Sequence, residues 1–376
     1  MIKKCIVISD SFKGTLSSRD ICRIARETVP PLLPRCEVVC IPVADGGEGT
    51  VACFEEAMGA SPVGVCVRGP HGEVVQARYG RKGRRAIIEM AAAAGLPLAG
   101  GHMDPERATT YGVGQLIRHA VEHGCTDVLL GLGGSATNDG GCGAAAALGA
   151  RFYRRDGGAF VPVGGTLDQI DRIDLSETRN LLKGVEITVM CDVENPLCGP
   201  QGAAFVFGPQ KGADPDMVRR LDGQLRAFGA ALDRQLGLKL DQMPGAGAAG
   251  GMGAGCAAFL GAGLRPGIEA VLDMVDFDRC LEGADLVITG EGRLDAQSLQ
   301  GKVISGVAKR TQPRGIPLLA IVGCIGDGAE AAYARGVTAM FSINREAEAF
   351  PQSAPKSADH YRRTLEDVLR LVRALS

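Results

Sequence analysis

The strongest constraint in this sequence is an apolar strand pattern that leads directly into a glycine-dense loop. Residues 128–132 read Val-Leu-Leu-Gly-Leu, residues 133–141 read Gly-Gly-Ser-Ala-Thr-Asn-Asp-Gly-Gly, and an alanine-rich helix pattern follows at 144–148. Glycines let a backbone approach a ligand closely, and backbone N–H groups with the positive end of a following helix favour phosphate. Ser135 and Thr137 add hydroxyl donors without bulk, so an anion is expected at this loop.

This loop does not match a known phosphate-loop consensus. The pattern Gly-x-x-x-x-Gly-Lys-Ser/Thr occurs nowhere in the chain, so a P-loop NTPase is not supported. The alternative interpretation is a tight strand-to-helix connection whose glycines serve packing alone.

Three other apolar strand patterns lead into loops that carry carboxylates. They cover residues 38–43, 187–191 and 286–289, and their loops contain Asp45, Asp192 and Glu291 respectively. Ligands of open α/β sheets collect outside the carboxyl ends of strands, and carboxylates suit Mg²⁺ together with substrate phosphates. The combination indicates phosphoryl transfer, although each acid taken alone could be a solvated turn residue or a helix cap.

A fourth strand end lies near the N-terminus. Residues 5–8 predict a buried strand, and Ser11 and Lys13 follow it before a helix that begins near Ser17. Lys13 could offer a charge to a phosphate or a substrate carboxylate, and Ser11 could offer a hydroxyl. The alternative is an ordinary surface lysine beside an N-capping Ser17.

These segments together resemble a known family. The chain is similar to the type I glycerate kinases, the bacterial family that phosphorylates D-glycerate with ATP, and the matching motifs occur in the family's order up to about Gly328. The motifs are residues 9–14, 42–50, 88–93, 132–141, 191–197, 207–212, 247–253 and 289–295. Asn138 and Glu194 depart from the family pattern and receive no role, and the tail after Phe350 matches weakly.

The resemblance implies an ATP-dependent reaction on the 2-hydroxyl of D-glycerate, giving 2-phosphoglycerate, with Mg²⁺ as the metal ion. The resemblance selects the candidate residues, and the chemistry of each side chain suggests its role in phosphoryl transfer. The predicted catalytic residues are Asp192, as the base, and Lys211, which neutralises charge on the transferred group. The predicted phosphate-binding residues are Gly133, Gly134, Ser135 and Thr137. The predicted ligands of the glycerate carboxylate are Ser11, Lys13 and Arg293. The predicted metal ligands are Asp45 and Glu291.

Other functions are kept as alternatives. Transfer to the 3-hydroxyl is not separable by sequence spacing, and a non-catalytic sensor of nucleotide or carboxylate could share the scaffold. An NAD(P)-dependent hydroxy-acid oxidoreductase is the rival enzyme, because residues 245–250 spell Gly-x-Gly-x-x-Gly. Met243 and Pro244 precede that motif in place of a buried strand, so we interpret it as a glycine-rich helix N-terminus that faces phosphate, or as close helix packing.

A second tempting pattern lies at His119-x-x-Glu-His123, which spells the motif of one zinc peptidase class. It falls in the last turn of a helix predicted over 113–123, where such side chains complement the helix dipole. No third ligand is evident, so we expect no metal there.

The order of strand and helix patterns predicts two α/β domains. With 376 residues the chain exceeds one ordinary core. Both chain ends alternate strand and helix, which predicts a parallel sheet, whereas residues 63–67 and 73–79 predict a hairpin. We predict a Rossmann-like domain from 1–62 and 265–376 and an inserted mixed α/β domain over 63–264. The resemblance places the active site in the cleft between them.

Composition agrees with a globular enzyme. The chain is 45% hydrophobic and 22% charged, and its net charge of −2 with 4% aromatic residues gives no footprint for nucleic acid. Thirteen cysteines without a Cys-x-x-Cys pair suggest reduced thiols, and no long apolar run favours a membrane. We expect a cytoplasmic protein whose partners are D-glycerate and ATP, and a homo-oligomer is left open.

Overall fold

A computed structural model describes residues 2–43, 49–296 and 302–375. Within them the strands are β1 (Lys4–Ser9), β2 (Glu37–Pro42), β3 (Ser61–Arg68), β4 (Val74–Lys82), β5 (Arg85–Glu89), β6 (Asp127–Gly131), β7 (Arg151–Tyr153), β8 (Ala159–Phe160), β9 (Arg172–Asp174), β10 (Glu186–Met190), β11 (Gly263–Arg265), β12 (Leu286–Thr289), β13 (Arg293–Leu294), β14 (Leu318–Val322), β15 (Cys324–Ile325) and β16 (Ala339–Ser342).

The helices of the described residues are α1 (Ser18–Leu32), α2 (Thr50–Met58), α3 (Ala91–Ala94), α4 (Leu96–Ala99), α5 (Tyr111–Glu122), α6 (Cys142–Ala147), α7 (Ser176–Leu181), α8 (Ala203–Phe207), α9 (Pro215–Leu236), α10 (Ala248–Leu260), α11 (Gly267–Met274), α12 (Phe277–Cys280), α13 (Val303–Thr311), α14 (Ala331–Ala334), α15 (Phe350–Ser353) and α16 (Ser357–Leu375). None of these described helices combines the length and apolar character needed to cross a bilayer.

The chain divides into two compact units. The first unit comprises residues 1–44, 56–58 and 268–376, and the second comprises 45–55 and 59–267. Each unit contains parallel strands connected through helices, so the predicted α/β fold class is confirmed. The domain boundaries near residues 62 and 265 stay a prediction.

The first unit is built on a five-stranded parallel sheet in the order β16-β14-β12-β1-β2. Numbered within the sheet and written from the β2 edge, this order is 2-1-3-4-5, one of the two common doubly wound arrangements. In such a sheet, successive strands are added first toward one edge and then toward the other. This change of order falls between the first and third strands, here β1 and β12, which remain parallel. Ligands bind outside the carboxyl ends of the strands at that switch point, which lies beside residues 10–13 and 290–293.

Local sequence explains why α1 begins where it does. The Ser17 side chain accepts a hydrogen bond from the Asp20 backbone N–H, and the Asp20 carboxylate accepts one from the Ser17 backbone N–H, so the two residues form a capping box. The predicted N-cap at Ser17 is therefore confirmed. The apolar face of α1, including Ile21 and Ile24, packs in one buried cluster with Val7 of β1.

The second unit contains a six-stranded sheet in the order β11-β10-β6-β5-β4-β3. Strands β5, β6, β10 and β11 are parallel to one another, whereas β4 is antiparallel to both β3 and β5. The β3–β4 pair confirms the predicted hairpin. Small strands β7, β8 and β9 form a separate antiparallel sheet, and β13 pairs with β15 in the first unit.

Candidate active site

The predicted phosphate loop lies at the carboxyl edge of the second unit's sheet. Met190 of β10 pairs with Gly131 of β6, so the loops that follow these two parallel strands leave the sheet side by side. They border a cavity of about 290 Å³ whose walls also include residues after α8 and at the start of α10. The lining residues are Leu132, Gly133, Gly134, Ser135, Met190, Cys191, Asp192, Val193, Phe207, Gln210, Lys211, Ala248 and Ala249.

The cavity therefore gathers five of the predicted site residues from three separate stretches of sequence. They are Gly133, Gly134, Ser135, Asp192 and Lys211. No spacing rule joins these stretches: the pairing of β6 with β10 brings the glycine loop beside Asp192, and the hydrogen bond to the Thr137 oxygen holds Lys211 against that loop.

The glycine loop is held by its flanks and leaves its own donors open. Leu96 donates its backbone N–H to the Gly134 carbonyl at 2.9 Å, and Ala136 donates to the Ala94 carbonyl at 2.9 Å. Among the described residues, the backbone N–H groups of Gly133, Gly134 and Ser135 have no hydrogen-bond acceptor. Gly134 also has a φ of +73°, which a side chain would strain. Three consecutive open donors beside a cavity suit an anion.

The N-terminus of α6, the helix that follows the glycine loop, is not available to a ligand as predicted. The carboxylate of Asp139 accepts from the backbone N–H groups of Gly141 and Gly143 at 3.1 and 3.2 Å, so an acid of the chain itself occupies the N-terminus of α6. The expectation that this helix end favours phosphate is wrong, because its donors are already used. Among the described residues, the donors that stay open at this edge are those of the loop backbone.

Asp139 also explains how the loop is fastened. Its Oδ2 accepts from the Thr110 backbone N–H at 2.8 Å and from the Thr110 hydroxyl at 2.9 Å, at the start of α5. Burial raises the pKa of Asp139, and these four hydrogen bonds with Thr110, Gly141 and Gly143 act in the opposite direction. One side chain thus joins the first turns of two helices.

Lys211 is the buried cation of the cavity. It ends a short 3₁₀ turn after α8, is only 2% exposed, and donates from Nζ to the main-chain oxygen of Thr137 at 2.7 Å. Among the described residues no carboxylate forms an ion pair with it. The carboxylate of the nearby Asp139 accepts hydrogen bonds from backbone N–H groups and a hydroxyl instead. Burial lowers the pKa of Lys211 to about 7, and the Asp139 charge partly offsets this shift.

Thr137 and Asn138 lie beneath the loop, outside the cavity lining. Thr137 is fully buried and Asn138 is 1% exposed. The Thr137 hydroxyl and both polar atoms of the Asn138 amide have no hydrogen-bond partner among the described residues. The role of Thr137 as a direct phosphate ligand stays a prediction, and its observed contact is the carbonyl that holds Lys211.

Asp192 follows β10 and faces the cavity from the opposite wall. It is exposed, and its Oδ1 accepts from the Gly267 backbone N–H at 2.7 Å. Gly267 begins α11, two residues after β11, which is the next parallel strand. The side chain is therefore oriented by a neighbouring strand end.

One wall of the cavity was missed by the sequence analysis. Ala249 has a φ of +53°, and Gly250 and Gly251 continue this left-handed turn at +69° and +87°. A side chain at Gly250 would stand 2.1 Å from the Thr137 oxygen, the same atom that accepts from Lys211. The glycine-rich spelling indicated close packing, but no pattern predicts a left-handed turn that includes an alanine.

The remaining predicted residues belong to the first unit, at its switch point. Ser11 and Lys13 follow β1, while Glu291 and Arg293 follow β12. A Cβ at Gly292 would stand 3.4 Å from the Lys13 backbone nitrogen, so the two loops touch. Lys13 and Arg293 are exposed and Ser11 is half-buried. The Arg293 Nε already donates to Asp295 at 3.0 Å.

Glu291 is the buried acid of this group. It is 4% exposed, and its Oε1 has no hydrogen-bond partner among the described residues. Burial raises the pKa of Glu291 to about 8; the Asp10 and Asp295 charges also raise it, whereas Lys302 and Lys13 lower it. Asp10 and Asp295 stood beside predicted residues and were passed over, and Lys302 had no sequence signal.

The described part of the chain holds no complete metal cage. In residues 2–43, 49–296 and 302–375 no three His, Cys, Asp or Glu side chains cluster with metal-binding geometry. Asp45, the other predicted metal ligand, lies outside the described residues. The orphaned, protonation-prone oxygen of Glu291 beside two more carboxylates is nevertheless a donor set that a hard cation would suit.

The two tempting motifs have structural explanations. The His119 Nδ1 lies 3.2 Å from the Tyr79 hydroxyl of β4, and its ring stacks on the exposed ring of His123, so each histidine has a contact within the second unit. Gly247 and Gly250 each lie against backbone, where a Cβ would stand 2.2 and 2.1 Å from the carbonyl oxygens of Pro196 and Thr137. The second motif is thus a packing motif.

These features define a class: an α/β protein whose strand-end loops form a cavity lined by open backbone N–H donors, a buried lysine and an acid. The profile of the Glycerate kinase family matches residues 5–373, and the chain belongs to this family. The resemblance noted in the sequence is thereby confirmed.

Individual relatives agree over nearly the full chain. A glycerate kinase of Bacillus cereus is 44% identical over 343 residues, which is 90% of each chain, and one of Bacillus subtilis is 41% identical over 97% of this chain and 96% of its own. A glycerate 2-kinase of Escherichia coli is 41% identical over 90% of each chain. The crystal structure of a protein provisionally described as glycerate kinase 2 from Salmonella typhimurium LT2 superposes with a TM-score of 0.87 at 40% identity, covering 100% of this chain and 99% of that one.

Proposed function

We propose that this protein transfers the γ-phosphoryl group of ATP to the 2-hydroxyl of D-glycerate, giving 2-phosphoglycerate and ADP. Family membership supports glycerate as the acceptor, and the name of the Escherichia coli relative supports the 2-hydroxyl. The observation that carries the proposal is Lys211, a buried cation without a carboxylate partner among the described residues, beside three open backbone donors. A transferred phosphoryl group would supply the missing negative charge.

In this proposal the cavity of the second unit binds phosphate. The backbone N–H groups of Gly133, Gly134 and Ser135 hold phosphate oxygens. Thr137, buried beneath the loop, positions Lys211 through its main-chain oxygen. Lys211 neutralises charge that builds on the transferred group, where a low dielectric makes the interaction strong.

Asp192 serves as the base that orients the attacking hydroxyl and accepts its proton. Phosphoryl transfer asks mainly for positioning and charge stabilisation, with one carboxylate directed at the nucleophile. The hydrogen bond from the Gly267 backbone to Oδ1 orients the carboxylate at the edge of the cavity.

The strand ends of the first unit supply the remaining roles. Ser11, Lys13 and Arg293 bind the glycerate carboxylate, for which Arg293 offers a two-pronged donor. Glu291 and Asp45 hold Mg²⁺, directly or through water. When bound, Mg²⁺ neutralises charge on the phosphate oxygens. Glu291 would have to lose its proton to bind the ion, and its unsatisfied Oε1 is the atom available for that contact.

The test is coupled ADP release with Mg-ATP and D-glycerate, run beside L-glycerate and with the product identified by phosphorus NMR. We expect turnover with D-glycerate, a 2-phosphoglycerate signal, and loss of turnover when a chelator removes Mg²⁺. A 3-phosphoglycerate signal would overturn the assigned hydroxyl. ATP binding without turnover would indicate a sensor, and NAD(P)H binding without ATP use would indicate the oxidoreductase.

A further inference from the structure

Ala249 adopts a backbone conformation that alanine rarely takes, and it does so in the wall of the cavity beside the glycine loop. Its φ and ψ are +53° and +41°, and the left-handed turn continues through Gly250 and Gly251. Left-handed backbone crowds a Cβ against the following carbonyl oxygen, so glycine is the residue expected there. Among the described residues that are not glycine, Asp276 at the start of α12 is the other one with a positive φ.

The left-handed turn lets two backbone segments approach closely. A Cβ at Gly250 would stand 2.1 Å from the Thr137 oxygen and 2.6 Å from the Asn138 Cα. The Gly140 backbone N–H donates to the Gly250 carbonyl at 3.1 Å, which joins the turn to the glycine loop. These contacts leave no room for a side chain at Gly250, whereas position 249 carries one in spite of the same left-handed backbone.

The methyl group of Ala249 lies at the boundary between the apolar core and the cavity. Ala249 is half-buried, packs against the buried cluster that contains Ala248 and Met252, and lines the same cavity as Lys211. Burial of a single methyl group that stays partly accessible offsets only part of the cost of a left-handed alanine. Packing is therefore a weak reason for an alanine at a position where glycine would be unstrained.

We propose that the Ala249 methyl group shapes the cavity so that a bound phosphoryl group fits in one position and water is excluded from it. This inference rests on the proposed function of the cavity as the phosphate site. The turn that carries Ala249 approaches the same Thr137 oxygen that fixes Lys211, so the methyl group and the cation share one support. Loss of the methyl group from this cavity of about 290 Å³ would free space comparable to the roughly 30 Å³ that a water molecule occupies in the liquid.

Water exclusion has a chemical consequence for phosphoryl transfer. When water reaches the γ-phosphoryl group of ATP, a water oxygen forms a bond to phosphorus and the bond to the ADP oxygen breaks. The products are ADP, inorganic phosphate and a proton, so ATP is consumed and no glycerate is phosphorylated. A closed, water-excluding site suppresses such side reactions. The methyl group would therefore set the ratio of hydrolysis to transfer.

The test compares the unsubstituted protein with Ala249→Gly, which removes the methyl group and the strain together. Calorimetric titration with inorganic pyrophosphate measures how well the cavity holds phosphate, and ADP release with and without D-glycerate measures hydrolysis against transfer. We expect Ala249→Gly to bind pyrophosphate roughly tenfold more weakly and to raise the ratio of hydrolysis to transfer by a similar factor. Its thermal midpoint should equal or exceed that of the unsubstituted protein, because the backbone strain is relieved.

The matched control is Asp276→Gly. It introduces glycine at an exposed left-handed residue of the first unit that does not line the cavity. We expect it to leave the pyrophosphate affinity and the ratio of hydrolysis to transfer unchanged. A general effect of one additional glycine would appear in both variants, whereas an effect of the cavity wall appears in Ala249→Gly alone.

The possible outcomes separate this role of Ala249 from the proposed function. An unchanged affinity and an unchanged hydrolysis ratio in Ala249→Gly would overturn the role, and a lower thermal midpoint would then assign the methyl group to packing. If the unsubstituted protein bound pyrophosphate but transferred nothing from ATP to glycerate, the proposed function would fail, and the comparison of affinities would still decide the role of Ala249. Absence of pyrophosphate binding by the unsubstituted protein would overturn both.

Discussion

Lys211 donates a 2.7 Å hydrogen bond from Nζ to the main-chain oxygen of Thr137. This bond ties the turn after α8 to the loop after β6, and it consumes one of the three protons of a buried ammonium group. The other two protons have no partner among the described residues. The Thr137 carbonyl therefore fixes where the ammonium group lies but does not neutralise its charge. An anionic substrate would provide the opposite charge.

Replacement of Lys211 by Met should impair phosphoryl transfer. Met keeps much of the side-chain volume in a buried place and removes the charge, so we expect kcat/KM for ATP to fall by roughly a hundredfold or more. Steady-state kinetics and a thermal unfolding curve would separate lost chemistry from lost folding. The matched control is Lys183→Met at an exposed lysine of the same unit, which should leave both measurements unchanged.

The same lysine predicts a pH dependence. Because burial lowers the pKa of Lys211 to about 7, the free enzyme loses the cation as pH rises through 7, and kcat/KM for ATP should decline above that value. The residual activity of Lys211→Met should lack this limb. An identical alkaline limb in the variant would contradict the assignment.

Asp192→Asn should abolish most of kcat and spare folding. The asparagine carbonyl can still accept from the Gly267 backbone, so the loop keeps its anchor, while the group that accepts the substrate proton is gone. We expect a loss of roughly 10²–10⁴ in kcat. Glu194→Gln removes an exposed charge two residues further along and should change kcat little. Near-normal kcat in Asp192→Asn would rule out the base.

Glu291→Gln should change how stability depends on pH. The folded protein holds this acid neutral up to about pH 8, while the unfolded chain loses the proton near pH 4.5. The unfolded state is therefore favoured as pH rises between these values. Denaturant titrations should show the unfolding free energy of the original protein falling relative to the variant, by up to about 1.4 kcal/mol per pH unit. Glu330→Gln, at an exposed acid, should show no such difference. A pH-independent difference for Glu291→Gln would contradict the raised pKa.

Asp139→Asn should destabilise the second unit. The carboxylate accepts four hydrogen bonds from Thr110, Gly141 and Gly143, and an amide would place N–H donors against some of them. We expect a loss of about 3 kcal/mol in the free energy of unfolding. Asp168→Asn, at an exposed position, should stay within about 0.5 kcal/mol of the original protein. Equal stability of the two variants would show that the hydrogen bonds are dispensable.

Much of the fold follows from local sequence. The capping pair Ser17 and Asp20 marks the start of α1, and the mainly apolar, β-branched pattern of β12 and β14 marks buried parallel strands. These signals act over a few residues, so they can be read without knowing the tertiary structure. The strand order is different, because hydrophobic pattern alone does not say that β1 lies between β12 and β2.

Sequence patterns selected many of the candidate site residues, but they did not predict the hydrogen bonds and pKa shifts of those residues. The rule that ligands gather at strand ends selected Gly133, Asp192 and Glu291, and the cavity does bring the first two together. The position of Asp139 in the sequence suits a first helical turn, but its contact with Thr110 at the start of α5 joins residues 29 positions apart and cannot be read from local sequence. The shifted pKa values of Lys211 and Glu291 depend on burial, which the sequence does not report.

Strand β1 lies between β2 and β12, and its Cys5 pairs with Leu286 near the other end of the chain. During synthesis the ribosome must add about 280 residues after β1 before that neighbour exists, which takes roughly 15–60 s at ordinary elongation rates. For that time the nascent chain presents an apolar strand with one edge open, the kind of surface that other chains can pair with. Production of this protein in quantity should therefore depend on what shields its first forty residues until the last quarter of the chain emerges.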